Sequence, residues 1–128
     1  MSLDRKQLDS LPQRFPRLFK HPLTWGFEHD AGWTNIVEAF CQRIDSALAN
    51  EPAARFEVLQ VKEKFGMLRF YYRLENGSEA LALEIRHAVD SASEQSATTC
   101  EGCGAESDIV SLGGYITTRC RRCQESRK

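Results

Sequence analysis

The stretch Phe56-Glu57-Val58-Leu59-Gln60-Val61-Lys62-Glu63-Lys64-Phe65-Gly66-Met67-Leu68-Arg69-Phe70-Tyr71-Tyr72-Arg73-Leu74 decides the fold. Its first six residues are rich in β-favouring types. From Leu68 onward Leu68, Phe70, Tyr72 and Leu74 alternate with Arg69, Tyr71 and Arg73. A period of two marks a half-buried strand. Lys62-Glu63-Lys64-Phe65-Gly66 reads as a polar connection ending in glycine. The two strands are therefore expected to form an antiparallel hairpin with one apolar and one basic-aromatic face.

On either side of the hairpin the period changes to that of a helix. Upstream, Trp33, Ile36, Val37, Phe40, Cys41, Ile44, Ala47 and Leu48 form one apolar stripe, which predicts a helix ending near Asn50 with Pro52 beyond it. Downstream, Asn76-Gly77-Ser78 is a turn with Ser78 as N-cap, and Leu81, Ile85, Ala88, Val89 and Ala92 mark a second amphipathic helix. The polar run from Ser91 to Thr99 is expected to end that helix and to bound the main body. Before residue 20, Leu3, Leu8, Leu11, Phe15, Leu18 and Phe19 suggest one short helix and an extended stretch, broken by Pro12 and Pro16.

Five cysteines occur, and four of them, Cys100, Cys103, Cys120 and Cys123, have the spacing C-x2-C-x16-C-x2-C. Zinc takes four thiolates in a tetrahedron, and two residues between cysteines let a knuckle aim both sulfurs at one ion. Asp108-Ile109-Val110-Ser111-Leu112 and Tyr115-Ile116-Thr117-Thr118, joined by Gly113-Gly114, form a second hairpin that returns the chain to its first cysteine pair. The expectation is a zinc-ribbon-like unit with one structural Zn²⁺, since four thiolates leave no position for a reacting water. Two disulfides, or a redox dithiol, are the alternatives. Cys41, on the apolar helix stripe, reads as a buried small hydrophobe.

The chain has 128 residues, 41% hydrophobic and 27% charged, which suits a globular domain and argues against wholesale disorder. Seventeen Lys and Arg stand against 18 Asp and Glu, a net charge of -1, so no chain-wide field attracts nucleic acid or membrane. No apolar run reaches the roughly 18 residues of a membrane span. Met1-Ser2-Leu3-Asp4-Arg5-Lys6 lacks the apolar core of a secretory leader, so a cytoplasmic location is expected.

Val61-Lys62-Glu63-Lys64-Phe65-Gly66-Met67-Leu68-Arg69-Phe70-Tyr71 resembles the VKEKFGGLRFY string of an uncharacterised family of small bacterial and phage proteins, with Met67 in place of that string's second glycine. The pairs Cys100-Glu101-Gly102-Cys103 and Cys120-Arg121-Arg122-Cys123 resemble that family's terminal cysteines. Asp30-Ala31-Gly32-Trp33 is similar to its Gly-Trp helix start. The resemblance runs from about residue 27 to 123. It implies a bacterial or phage source and a metal-bound C-terminus, and carries no enzymatic activity with it.

Three functions are weighed. No phosphate-binding glycine loop, nucleophile elbow or zincin helix occurs. This favours a non-enzymatic zinc-binding protein with a protein partner, such as a toxin-neutralising immunity protein or a phage-host interaction factor. The alternative is a nucleic-acid-binding zinc module using Arg69, Tyr71 and Arg73 on the strand with Arg119, Arg121 and Arg122 around the second cysteine pair. Those last arginines could instead offset the charge of a zinc–thiolate centre. An enzyme would have to use Glu28, His29 and Asp30. The expected architecture is α+β: an α-β-β-α body over residues 1–97 and the zinc-ribbon-like unit over 98–128.

Overall fold

Strand β2 (Arg55–Lys64) pairs antiparallel with β3 (Met67–Glu75) in the computed structural model, which describes residues 5–126. Leu3 falls outside the described residues. The hairpin is longer than its pattern suggests: Lys62, Glu63 and Lys64 continue the strand, and the loop is Phe65-Gly66 alone. Both loop residues have positive φ, 55° and 80°, as in the two-residue turns whose twist matches a hairpin. The Gly66 N–H donates to the Glu63 carboxylate at 2.7 Å, which closes the turn.

The register shifts between Val58 and Gln60, so Leu59 is bulged. The extra residue explains the burial pattern. Phe56 and Val58 face the core, and so does Val61 at an odd spacing, while Leu59 is left exposed. A two-residue strand, β1 (Phe27–Glu28), runs parallel to β2 with Phe27 opposite Val61. The sheet order is β1-β2-β3.

Helices α3 (Thr34–Ala49) and α4 (Glu79–Ser96) cover one face of this sheet. Phe40 of α3 stacks on Phe70 of β3 with ring centroids 3.9 Å apart. Val37, Ile44, Leu81 and Ile85 complete the buried layer. Ser78 caps α4 as expected, accepting the Leu81 N–H at 3.1 Å. The helix runs on into the polar stretch as far as Ser96, which is buried: its hydroxyl accepts the Leu68 N–H at 2.8 Å and donates to the Ser93 carbonyl. The N-terminal segment forms two single turns, α1 (Lys6–Asp9) and α2 (Leu11–Arg14), instead of one helix. Pro12 lies in the first turn of α2, where it has no intrahelical bond to break.

Past α4 the chain makes a second antiparallel pair, β4 (Ile109–Leu112) and β5 (Tyr115–Thr118), around Gly113 and Gly114 at φ 58° and 86°. A short helix, α5 (Arg121–Ser126), follows. The protein is thus a mixed α+β structure. Among the described residues no helix is long and apolar enough to cross a membrane.

Candidate metal centre and the junction beneath it

The Sγ atoms of Cys100, Cys103, Cys120 and Cys123 all lie within 4.8 Å of one another. Cys103 and Cys120 are 3.7 Å apart, and none of the five cysteines is in a disulfide. A disulfide needs about 2.05 Å. A tetrahedron with metal–sulfur bonds of about 2.3 Å has edges of about 3.8 Å. The donor set therefore fits a metal ion. Each pair owes its position to a local device. Gly104, at φ 85°, turns the chain after the first pair, and its N–H donates to the Cys100 carbonyl at 2.9 Å. The second pair opens α5, with Cys120 just before the helix and Cys123 in its first turn.

The thiols are unequal. Burial opposes ionising Cys100, but N–H groups of Cys120, Cys103 and Gly102 point at its sulfur, and with the Cys123 thiol they bring its pKa to about 7. Burial and competition with the other three thiols push Cys123 up to about 12. A thiol of lowered pKa among hydrogen-bonded thiols suits a divalent ion, which displaces thiol protons on binding. Cys41 is buried far from this set, and desolvation lifts it to about 12, which leaves it an inert core residue.

The first cysteine knuckle does not float free of the body. Gly32 donates its N–H to the Glu101 carbonyl at 2.7 Å, and the Trp33 indole donates to the Thr99 carbonyl at 2.8 Å. A Cβ on Gly32 would stand 2.3 Å from the backbone oxygens of both Cys100 and Glu101, so only glycine permits this approach. The Arg119 side chain, 6% exposed, donates to the Asp30 carboxylate and lies 3.5 Å from the Glu101 carboxylate. The Asp30 N–H also donates to Glu101, at 2.9 Å. Burial raises the Glu101 pKa despite that N–H and the guanidinium. The Thr118 hydroxyl donates to the Gly66 carbonyl. Asp30-Ala31-Gly32-Trp33 and the Phe65-Gly66 turn, distant in sequence, thus both hold the cysteine unit, at Glu101 and at Thr118.

These placements sort the other candidates. Arg119 faces two carboxylates inside the junction and has no open side for a phosphate, which corrects its inclusion among nucleic-acid contacts. Arg121 and Arg122 are exposed on α5. Arg69, Tyr71 and Arg73 are exposed along β3, with Arg73 paired to Glu57 at 2.9 Å. Glu28, His29 and Asp30 do not converge. Glu28 accepts from Gln60 at 2.8 Å, Asp30 serves Arg119, and His29 is 5% exposed between Phe27 and Trp33. Burial pulls the His29 pKa down to about 4. Its Nδ1 sits 2.8 Å from the Asp30 carbonyl, so Nδ1 carries the proton and the unpartnered Nε2 is a bare acceptor. Asp30 also makes no side-chain cap on the helix that follows it, because its carboxylate is held by Arg119.

Compared with protein-family models, curated proteins and solved structures, the chain matches none.

Proposed function

We propose that this is a non-enzymatic zinc-binding protein that works by holding a C-terminal hairpin ready for a protein partner. One observation carries the reading: four thiols within 4.8 Å of one another, one pair at 3.7 Å, on a junction built to hold them. Zinc suits four thiolates, and a closed shell of four cysteines supplies folding energy instead of a reactive water. Its arrangement is knuckle, hairpin and helix, ribbon-like in the hairpin and closer to a treble clef in its second pair. Free thiols suit a reducing compartment such as the cytoplasm.

The partner surface is the hairpin itself. Ile109, Leu112, Tyr115 and Ile116 are all exposed on a two-stranded sheet. Apolar residues grouped on so small an element support a docking role for a protein with an apolar face. A toxin-neutralising or phage-host role in a bacterial or phage setting is an instance of it. The separation of Glu28, His29 and Asp30 supports a function without catalysis.

Metal analysis of the purified protein should find about one zinc per chain, and cobalt substitution should give the absorption of tetrahedral thiolate coordination. A folded, metal-free protein with oxidised cysteines would refute the metal reading. A photo-crosslinker at Tyr115 should trap a protein that a Leu112→Asp variant no longer captures, and no adduct would count against the hairpin.

A further inference from the structure

The face of the sheet away from α3 and α4 holds a feature that neither the metal nor the hairpin explains. Lys62 of β2 stands directly opposite Arg69 of β3. Like charges in that position repel. Among the described residues no ion pair involves either of them, although Arg73, four register pairs along, has Glu57. The chain as a whole is nearly neutral, and Glu28 of β1, in register beside Lys62, is bonded to Gln60 instead, so two adjacent cations stand here against one carboxylate.

Beside that pair the surface is aromatic. Tyr71 follows Arg69 on the same face and is 43% exposed, and Trp25 is 75% exposed. Both line one open cavity of about 340 Å³, together with Leu59, Gln60 and Gly26. Gly26 has nothing within 4 Å of where a Cβ would be, so the mouth is clear. At the cavity wall Gln60 donates to Glu28 through its amide nitrogen, so its amide oxygen is the acceptor end. The bulge at Leu59 is what brings Gln60 opposite Tyr71.

We propose that this face binds a single-stranded polynucleotide. Tyr71 and Trp25 stack on bases, Gln60 accepts from a base edge, and Lys62 and Arg69 receive the adjoining phosphates. Same-face residues on a strand are about 6.7 Å apart, so Arg69 and Tyr71 address the backbone and the base of neighbouring positions. A strand face that alternates cations and exposed rings suits an unpaired strand, whose bases offer their planes. A duplex hides those planes, and an acidic peptide satisfies the cations but leaves the rings without a partner.

The chain has two tryptophans and Trp33 is fully buried, so quenching of emission reports Trp25. The metal-replete protein is titrated with oligouridylate, oligothymidylate, a mixed-sequence duplex and a glutamate-rich peptide. The expected result is quenching by one or both single strands, with the preferred one telling RNA from DNA. The affinity should fall with salt at a log–log slope of about -0.7 per phosphate contacted. Tyr71→Ala, read by the same quenching, and Trp25→Ala, read by the anisotropy of a dye-labelled oligonucleotide, should each weaken binding by roughly 5- to 150-fold. Lys62→Gln and Arg69→Gln should each reduce the salt slope by about 0.7. All four residues are at least partly exposed, and unchanged circular dichroism confirms that the variants fold. Equal affinity for the duplex, preference for the peptide, unaltered binding by both aromatic variants, or no binding at low salt would each overturn the proposal.

Discussion

The Gly32 N–H donates to the Glu101 carbonyl at 2.7 Å, so the turn that starts α3 is bonded to the backbone between two cysteines of the candidate metal centre. A methyl group at residue 32 would meet two backbone oxygens at 2.3 Å, and backbone cannot swing aside as a side chain can. Gly32→Ala should therefore cost about 1–3 kcal/mol by overpacking and weaken metal binding at the same time. Thermal melts and competition with a zinc chelator measure the two effects. An alanine variant with native stability and native zinc affinity would show that the junction is not closely set.

The main core is made of residues from the body, none of them beyond Ala92. Removing the metal, or replacing Cys103 by serine, should accordingly loosen β4, β5 and α5 and leave the layer of α3, α4 and β2–β3 intact. Hydrogen exchange should speed up at residues 109–118 while the amides of α3 stay protected. Trp33 should report the change, since its indole is bonded to the Thr99 carbonyl just ahead of Cys100. Collapse of the whole fold on chelation would contradict this division.

Arg119 and Asp30 form one ion pair in unequal surroundings: Arg119 is buried and Asp30 is half-exposed. Losing Asp30 leaves Glu101 to hold the guanidinium, whereas losing Arg119 leaves a buried carboxylate against the thiol cluster. Asp30→Asn should cost about 1 kcal/mol. Arg119→Ala should cost about 3–5 kcal/mol. Arg119→Lys should recover only part of that, because both carboxylates meet the terminal Nη2, which lies one bond further along the side chain than a lysine Nζ. Denaturant melts of the three variants give the order, and a costlier Asp30→Asn would reverse the argument.

Long elements with a repeating pattern are legible in the amino-acid sequence. The stripe from Trp33 to Leu48 is α3, the alternation from Leu68 to Leu74 is β3, and the cysteine spacing marks the sulfur cluster. Features decided by a distant partner were not. Phe27–Glu28 is too short to show a period and is a strand only because Val61 and Lys62 lie alongside. Lys62-Glu63-Lys64 looks like a loop by composition but is held in register opposite Met67, Leu68 and Arg69. Arg119 reads as a surface cation until Asp30, 89 residues upstream, is brought to it. The string Asp30-Ala31-Gly32-Trp33 reads as a helix start, and nothing local tells that its contact is the cysteine knuckle.

Phe65 is exposed and has φ 55°, a conformation that suits asparagine or glycine better than an aromatic residue. Its ring gains a contact with the Lys64 ammonium, 5.6 Å from the centroid, worth about 0.5 kcal/mol at an exposed site. An Asn-Gly loop is the preferred sequence for this turn. Phe65→Asn should thus stabilise the fold by a few tenths of a kcal/mol up to about 1 kcal/mol, as relief of left-handed strain exceeds the lost contact. A lower melting temperature in the variant would mean that the ring has a stabilising role beyond that contact.

His29 gives the protein a pH dependence of definite sign. Burial holds its pKa near 4, against about 6.5 in an unfolded chain. Below pH 6.5 the unfolded chain takes up a proton that the folded chain refuses. The contribution is thus intact above about pH 6.5 and is lost progressively as the pH falls towards 4, by an amount on the order of 3 kcal/mol. Acid also protonates the four thiols and releases metal, so melting temperature against pH must be compared with that of His29→Phe, which keeps the same thiols. Phenylalanine lacks the bond to the Asp30 carbonyl but presents no group that must stay neutral. The variant should lose less stability than the wild type between pH 7 and 5, and parallel curves would show that the imidazole is protonated in the folded protein.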